Sequence, residues 1–568
     1  MTKLNSLLCF VFVLLAAHVR GAAFLEGSGG GGAPGSVTVP AGADLAAYNF
    51  ASSNVYQLGR GTYAVPGSLL MSNLNRSTPF TGILRSNLTT VSFIGVPGQT
   101  IWSTRASFGD LALFLQCTNL YFYGITFLGY TNHDISLLPH YDGNTNNGDY
   151  LGAIVNLAAC DNVVFENCTF DGSWDHGLID FASNHSGYPY ATIFSTRVYV
   201  RDCSFYDIGG WRLTSGNASW DGTALETTAW TCERLRIENC LRAWEPYNEM
   251  ETGSDGRFYN ATLRDSFIKN MAVAGALTAG NTNAVNAIIT GNTFVNEVGW
   301  TYHGSNYTAV DNLAAIDWRQ SAGLVANNNS IRGHWGAGVY CYGLTHGEVK
   351  NNTIKHITNT VAGGVAIGVY LHGTTNVVAS GNIITEPETY GMYLYGAKSS
   401  VVENNSITLP GLGTGILIAT FGGLTASNNF IRNNYIQAST YGIEDQLGNL
   451  LPQYLFGNEI VAPTKIRNQS GDNLMVEGPP RVFNFTNDFP SIAAGGSFRT
   501  NFPAVGSRTN DFGFVMTPDQ FYRLGTNIFV QGWASNDTFW IWVQNTGPAA
   551  ADAVSVRFKA SVRQVEAY

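Results

Sequence analysis

One short pattern governs what this chain can fold into. Alternating apolar residues lead into a polar pair, then a small residue and an apolar one. It recurs as VVFENCTF (163–170), VYVRDCSF (198–205), LRIENCL (235–241), ATLRDSFI (261–268), AIITGNTF (287–294), LVANNNSI (324–331), EVKNNTI (348–354), VVASGNII (377–384), VVENNSI (401–407) and LTASNNFI (424–431). The anchor residues are Cys168, Cys203, Cys240, Ser266, Asn292, Asn329, Asn352, Asn382, Asn405 and Asn429. Successive anchors are never closer than 23 residues or farther apart than 37, so a fixed unit carries insertions of variable length. Period-two alternation predicts strands. The shortest unit has room for about three strands of about five residues and no helix. No such unit buries its apolar face alone, so the units must stack. Anchor asparagines inside successive bends are placed to hydrogen-bond one another along that stack.

Over roughly residues 36–465 this repeat resembles the right-handed parallel β-helix of the pectate-lyase-like superfamily. The expected fold class is all-β, a right-handed parallel β-helix followed by a small C-terminal β-sandwich. The handedness also follows from the rule for parallel crossovers. Composition agrees: 64 Gly against 18 Pro suits a chain of many tight turns, and 12% charged residues are too few for a helical bundle or a solvated disordered tail.

Residues 1–21 read as a secretory signal, with Lys3 ahead of the apolar run LLCFVFVLLAA and Val19-Arg20-Gly21 as the cleavage site. Residues 22–35 are a Gly-rich linker, 36–465 the β-helix, 466–480 a second linker and 481–568 a β-sandwich module. The run from SIAAGGSF through NDTFWIWVQN to AVSVRFKASV resembles the β-sandwich that ends phage and virus tail-fibre proteins, which implies a homotrimer through that module. A secreted, extracellular chain is expected, without stable membrane insertion. Net charge −10 with no Lys/Arg cluster argues against nucleic acid. Among the Asn-x-Ser/Thr sequons, Asn184, Asn217, Asn306 and Asn536 are the expected glycan carriers, because others coincide with the recurring turn. The cysteines at repeat positions are expected as small buried residues in the stack rather than a disulfide set.

In the later units a second strand precedes the anchor strand: GVYCYG (338–343), GVYLHG (368–373), GMYLYG (391–396) and GILI (415–418). Alternation turns Val339, Cys341, Val369, Leu371, Met392 and Leu394 inward. It places Tyr340, Tyr370 and Tyr393 in one outward column and Tyr342, His372 and Tyr395 in the next. Such rows are either a track for sugar rings or aromatic packing that stabilises the sheet. The same outward strand carries Glu226 and Asp317 in other units, as well as Glu444-Asp445. Glycoside hydrolysis needs two carboxylates about 5 to 9.5 Å apart, which neighbouring turns can supply. Uronate β-elimination needs a base and a carboxylate-neutralising group, for which Arg319, His372 and Tyr370 are the candidates. Glu226, Asp317, Arg319 and His372 are therefore the catalytic candidates, and Tyr340, Tyr342, Tyr370, Tyr393 and Tyr395 the substrate-binding ones.

NVVFENCTFDGSWDHGLID (162–180) resembles the calcium-binding stretch of the pectate lyases, which implies Ca²⁺ at Asp175 and Asp180. The alternative is that both form turns. Glu166-Asn167 stands where that family has Asp-His, and Arg-x-Pro-x-x-Arg is absent from the sequence. The leading expectation is a polysaccharide partner, bound and modified by lyase, hydrolase or epimerase chemistry. The alternative is a non-catalytic glycan-binding spike or a structural surface protein, cellular or viral.

Overall fold

Short alternating segments do form strands, and they coil into a parallel β-helix. The computed structural model describes residues 35–468 apart from 66–81, 105–110, 130–152, 174–175, 181–194, 209–222, 228–229, 247–258, 279–284, 298–299, 301–313, 320–322, 334, 359–364, 412, 421, 424 and 447–451. Beyond 468 it describes residue 469 and the strands named below. No helix long and apolar enough to cross a membrane occurs among the described residues. The expected signal, most of the Gly-rich linker, Asp175 and the sequons Asn184, Asn217, Asn306 and Asn536 lie outside the described residues.

Each turn of the coil supplies one strand to each of three ladders. The first ladder includes Thr89–Ile94, Asp161–Glu166, Gly323–Asn327 and Gln453–Phe456. The second includes Thr169–Ser173, Ser330–Gly333 and Tyr435–Ala438. The third includes Ala314–Arg319, Ala337–Tyr342, Ile367–His372, Tyr390–Tyr395, Thr414–Ala419 and Tyr441–Asp445. Neighbouring rungs pair parallel and in register, as in Tyr340↔Tyr370 and Tyr370↔Tyr393. Two long strands, Arg236–Pro246 and Phe267–Thr278, run around the corner and join the second and third ladders into one sheet.

Register turns the alternation into vertical columns of like residues inside the coil. Phe93, Phe122 and Phe165 stack at 5.0 and 4.7 Å in the first ladder. Ile331, Ile354, Ile384, Ile407 and Ile436 follow one another in the second, each fully buried. Each such side chain contributes about 1.5–3 kcal/mol by leaving water. A glycine is the second residue of each third-ladder strand in the tyrosine-bearing turns because there is no room for a side chain there. A Cβ on Gly338 would lie 2.7 Å from the Gly368 carbonyl oxygen and 2.8 Å from Ile354.

The bend between the first and second ladders holds the hydrogen-bonded spine. The Oδ1 of Asn352 accepts from the backbone N–H and the Nδ2 of Asn329 at 2.9 and 3.0 Å, while its own Nδ2 donates to the Ala326 carbonyl at 2.8 Å. The same three-way contact repeats from Asn292 to Asn434, with Asn458 as the last acceptor. Ser266 and Cys203 occupy the same column upstream and send their hydroxyl or thiol to the carbonyl two residues back. The seven cysteines among the described residues are buried and free.

Two anchors belong elsewhere. The rung between Cys203 and Ser266 is Leu235, not Cys240, because Leu235 N–H donates to Ser266 Oγ at 3.0 Å. The rung after Asn405 is Asn434, not Asn429, which joins a separate column of Ser400, Asn429 and Gln453 at another bend. Ahead of each spine residue the chain enters the left-handed region, at Asn328 (φ 57), Asn351 (φ 55) and Asn404 (φ 56), where asparagine and glycine are tolerated best. These sequon asparagines are exposed, and it is the next residue that is buried.

The first ladder continues past 465 to Leu474–Glu477, against which the final strand Val565–Ala567 pairs antiparallel. Between them lie two antiparallel three-stranded sheets. One comprises Arg481–Ile492, Ala551–Arg563 and Phe512–Val515; the other comprises Ser497–Pro503, Thr538–Asn545 and Ile528–Ser535.

Candidate functional site

The third ladder carries polar chemistry on its outer surface, and one register column gathers most of it. Glu226 lies beside Glu245; Leu277 lies beside Asp317; then Tyr340, Tyr370, Tyr393, Leu417, Glu444 and Arg467 follow rung by rung. Arg319, Tyr342, His372 and Tyr395 form the adjacent outward column. The structure therefore brings together Asp317, Arg319, His372 and the five tyrosines. Glu226 stands in the same column, separated from Asp317 by Glu245 and Leu277; only its backbone position is described.

Rung spacing of about 4.8 Å decides how the aromatics sit. Tyr340 and Tyr370 have ring centroids 4.8 Å apart, and Tyr370 and Tyr393 lie 4.9 Å apart and 4° from parallel. His372 stacks on Tyr370 at 5.4 Å and meets Tyr342 edge-on at 4.6 Å. The ring faces thus pack against one another, the second of the two arrangements that the sequence leaves open. The Tyr340 hydroxyl is engaged by His372, and ring edges are presented at the half-buried tyrosines. Tyr340 and Tyr370 are buried, at 4% and 8% exposure, whereas Tyr342, Tyr390, Tyr393 and Tyr395 are half-buried.

At one end of this stack Asp317 is clamped by Arg319, whose Nε and Nη2 donate to its two carboxylate oxygens at 2.7 and 2.6 Å. The guanidinium also lies 5.5 Å over the Tyr340 ring. Burial pushes the Asp317 carboxyl above its ordinary pKa against the opposing pull of Arg319. The Tyr340 hydroxyl and His372 Nδ1 share a hydrogen bond of 2.9 Å. Burial, helped by the charge of Arg319, lowers the His372 pKa to about 4, so the imidazole is neutral near pH 7. Burial raises the Tyr340, Tyr370 and Tyr393 hydroxyls, which keep their protons.

Sequence reasoning missed Glu245 and Arg242. Arg242 Nη1 donates to Glu245 Oε2 at 2.9 Å, and both are buried. The Glu-Pro step at the end of LRAWEP was the available signal, but a register shift between Cys240 and Arg242 breaks the alternation there. At the far end of the tyrosines Glu444 accepts from Arg467 at 3.1 Å, Gln469 at 2.8 Å and Thr414 at 3.4 Å. Arg467 in turn lies 4.6 Å over the Tyr441 ring.

Asp180 faces the core rather than the surface. It is fully buried and accepts from the Ser195 backbone N–H at 3.1 Å. Among the described residues, no three His, Cys, Asp or Glu side chains lie close enough together to hold a metal ion.

A family model, that of the periplasmic copper-binding protein NosD, matches residues 248–449, less than half of the chain. Among the described residues of that segment, Met271, Met392 and Cys341 are buried in the core, and no three His, Cys, Asp or Glu side chains lie together. No curated protein matches the chain. Among solved structures, a double mutant of the tailspike protein of E. coli bacteriophage HK620 is 11% identical, with a TM-score of 0.41, over 96% of this chain and 88% of that one. A mannuronic acid specific polysaccharide family 6 lyase from human gut microbiota is 11% identical, with a TM-score of 0.38, over 75% and 83%. The periplasmic alginate epimerase AlgG is 10% identical, with a TM-score of 0.34, over 71% and 84%. At these identities and scores none of them fixes a substrate or a reaction for this chain.

Proposed function

We propose that this chain is exported and binds an extracellular polysaccharide along the outer surface of its third ladder. The observation that carries this reading is the continuous row of stacked tyrosines on one surface, with a half-buried rim of phenols at Tyr342, Tyr390, Tyr393 and Tyr395. A row of hydroxyls repeating at about 4.8 Å can hydrogen-bond successive residues of an extended glycan. The rigid coil beneath fixes those hydroxyls, so little ordering cost accompanies binding.

A second reading, in which the bound chain is also modified, is favoured by the Tyr340–His372 hydrogen bond beside the Asp317–Arg319 pair. A neutral imidazole joined to a phenol can pass a proton in either direction, as β-elimination or C5 epimerisation requires. The carboxylates are less suited to hydrolysis, because Asp317, Glu245 and Glu444 are all engaged by guanidinium groups.

Incubating the full-length secreted protein with a panel of neutral and acidic polysaccharides tests both readings. Retention on an immobilised polymer supports binding; unsaturated uronates, new reducing ends or C5 proton exchange support modification. Absence of retention across the panel overturns the proposal. The reading keeps the region 481–568 as a trimerising end, and a monomer in solution with that region intact would remove that part alone.

A further inference from the structure

Among the described residues, the tyrosine-bearing strands carry no positive charge, and the exposed Lys465 lies three rungs beyond Tyr393. Arg242, Arg319 and Arg467 are the guanidiniums along this stretch of the ladder, and each is matched by a carboxylate: Glu245, Asp317 and Glu444. The strands that present the tyrosines, Ala337–Tyr342, Ile367–His372, Tyr390–Tyr395 and Thr414–Ala419, contain neither Lys nor Arg. The whole chain carries a net charge of −10.

A uronic acid polymer brings a carboxylate with every sugar. Laying it on these strands would strip water from a row of anions with no unmatched cation on the strands to receive them. Phenol hydroxyls, by contrast, both donate and accept, which matches the hydroxyl and amide groups of uncharged sugars. We infer that this surface takes a neutral glycan, built of hydroxyl- or N-acetyl-bearing sugars, and discriminates against uronic acid polymers. The inference rests on the glycan-binding reading alone and goes further by naming the chemical class; it runs against the second reading, because β-elimination and C5 epimerisation act on uronic acids.

The test compares polymers of one backbone with and without charge. Full-length protein is titrated with polygalacturonate and alginate, with carboxyl-reduced forms of both, and with galactomannan, dextran and chitin oligosaccharides, at about 50 and about 500 mM salt. The expected result is at least tenfold tighter binding of a neutral or carboxyl-reduced polymer than of any charged parent, changing less than twofold with salt. Tighter binding of a charged parent that is lost at high salt would overturn the inference and leave the glycan-binding role standing. Failure of every polymer to bind would overturn both. Tyr393→Phe and Tyr395→Phe, which keep the stack and remove one hydroxyl each, are expected to weaken neutral-glycan binding three- to tenfold. Unchanged affinity in both variants would place the binding elsewhere and overturn the inference.

Discussion

Tyr370 and Tyr393 lie ring on ring, 4.9 Å apart and 4° from parallel, one rung above the other on the outside of the coil. That single contact links the fold to the proposed function. The ladder spacing is close to the separation of offset-stacked aromatics, so a tyrosine in every rung packs against its neighbours.

Stacking and hydrogen bonding are therefore separable by mutation. Tyr370→Ala removes a buried ring and is expected to cost about 3–5 kcal/mol, as truncation of a buried aromatic does. Tyr393→Phe keeps the ring and is expected to leave the melting temperature within a degree or two while weakening glycan retention. Thermal unfolding beside a retention assay on both variants checks this; a Tyr393→Phe variant as unstable as Tyr370→Ala would mean that the hydroxyls serve the fold.

Asn352→Ala should orphan the Asn329 N–H and the Ala326 carbonyl together. Each orphaned buried group costs about 1–3 kcal/mol. Asn352→Ser is expected to cost clearly less, because Ser266 already works in the same column, accepting from Leu235 and donating to Arg264. Denaturant midpoints of the two variants provide the measurement. Equal losses would contradict the spine as described.

Arg319→Gln leaves Asp317 as a buried carboxylate without its clamp, a change expected to cost about 3–5 kcal/mol near neutral pH. Asp317→Asn combined with Arg319→Gln should recover much of that loss, since no charge is then stranded. A double variant no more stable than Arg319→Gln alone would show that the pair's geometry, rather than its charge, is what matters.

His372 has a folded pKa of about 4, below its ordinary value of 6.5. A base whose pKa is depressed on folding contributes stability that is fully present above the unfolded value and is lost as pH falls through the folded one. Stability should therefore decline from about pH 6.5 to about pH 4, and His372→Asn should flatten that part of the profile. An unchanged slope in the variant would mean that His372 is not the group responsible.

How much of this was legible depended on whether a feature is carried by period. Val369 and Leu371 face inward and Tyr370 outward because alternation assigns sides, and nothing in the coil disturbs it there. Leu235 carries no polar signature of a spine position, whereas the nearby Cys240 fits the repeat pattern. Glu245 escaped because the shift between Cys240 and Arg242 moves the period by one inside a strand that runs around the corner. The faces of the tyrosines stay open at the level of sequence for a different reason. Alternation says which side a residue takes, but the direction of its ring plane follows from what the next rung carries, as Tyr393 does for Tyr370.

A crystal structure of the full chain with a bound oligosaccharide of the tightest-binding neutral polymer tests the central claim most directly. The expected result is a glycan running along the coil axis over the third ladder, with its hydroxyls within hydrogen-bond reach of Tyr342, Tyr393 and Tyr395. A glycan seated on either of the other two ladders, or only on the region 481–568, would contradict it.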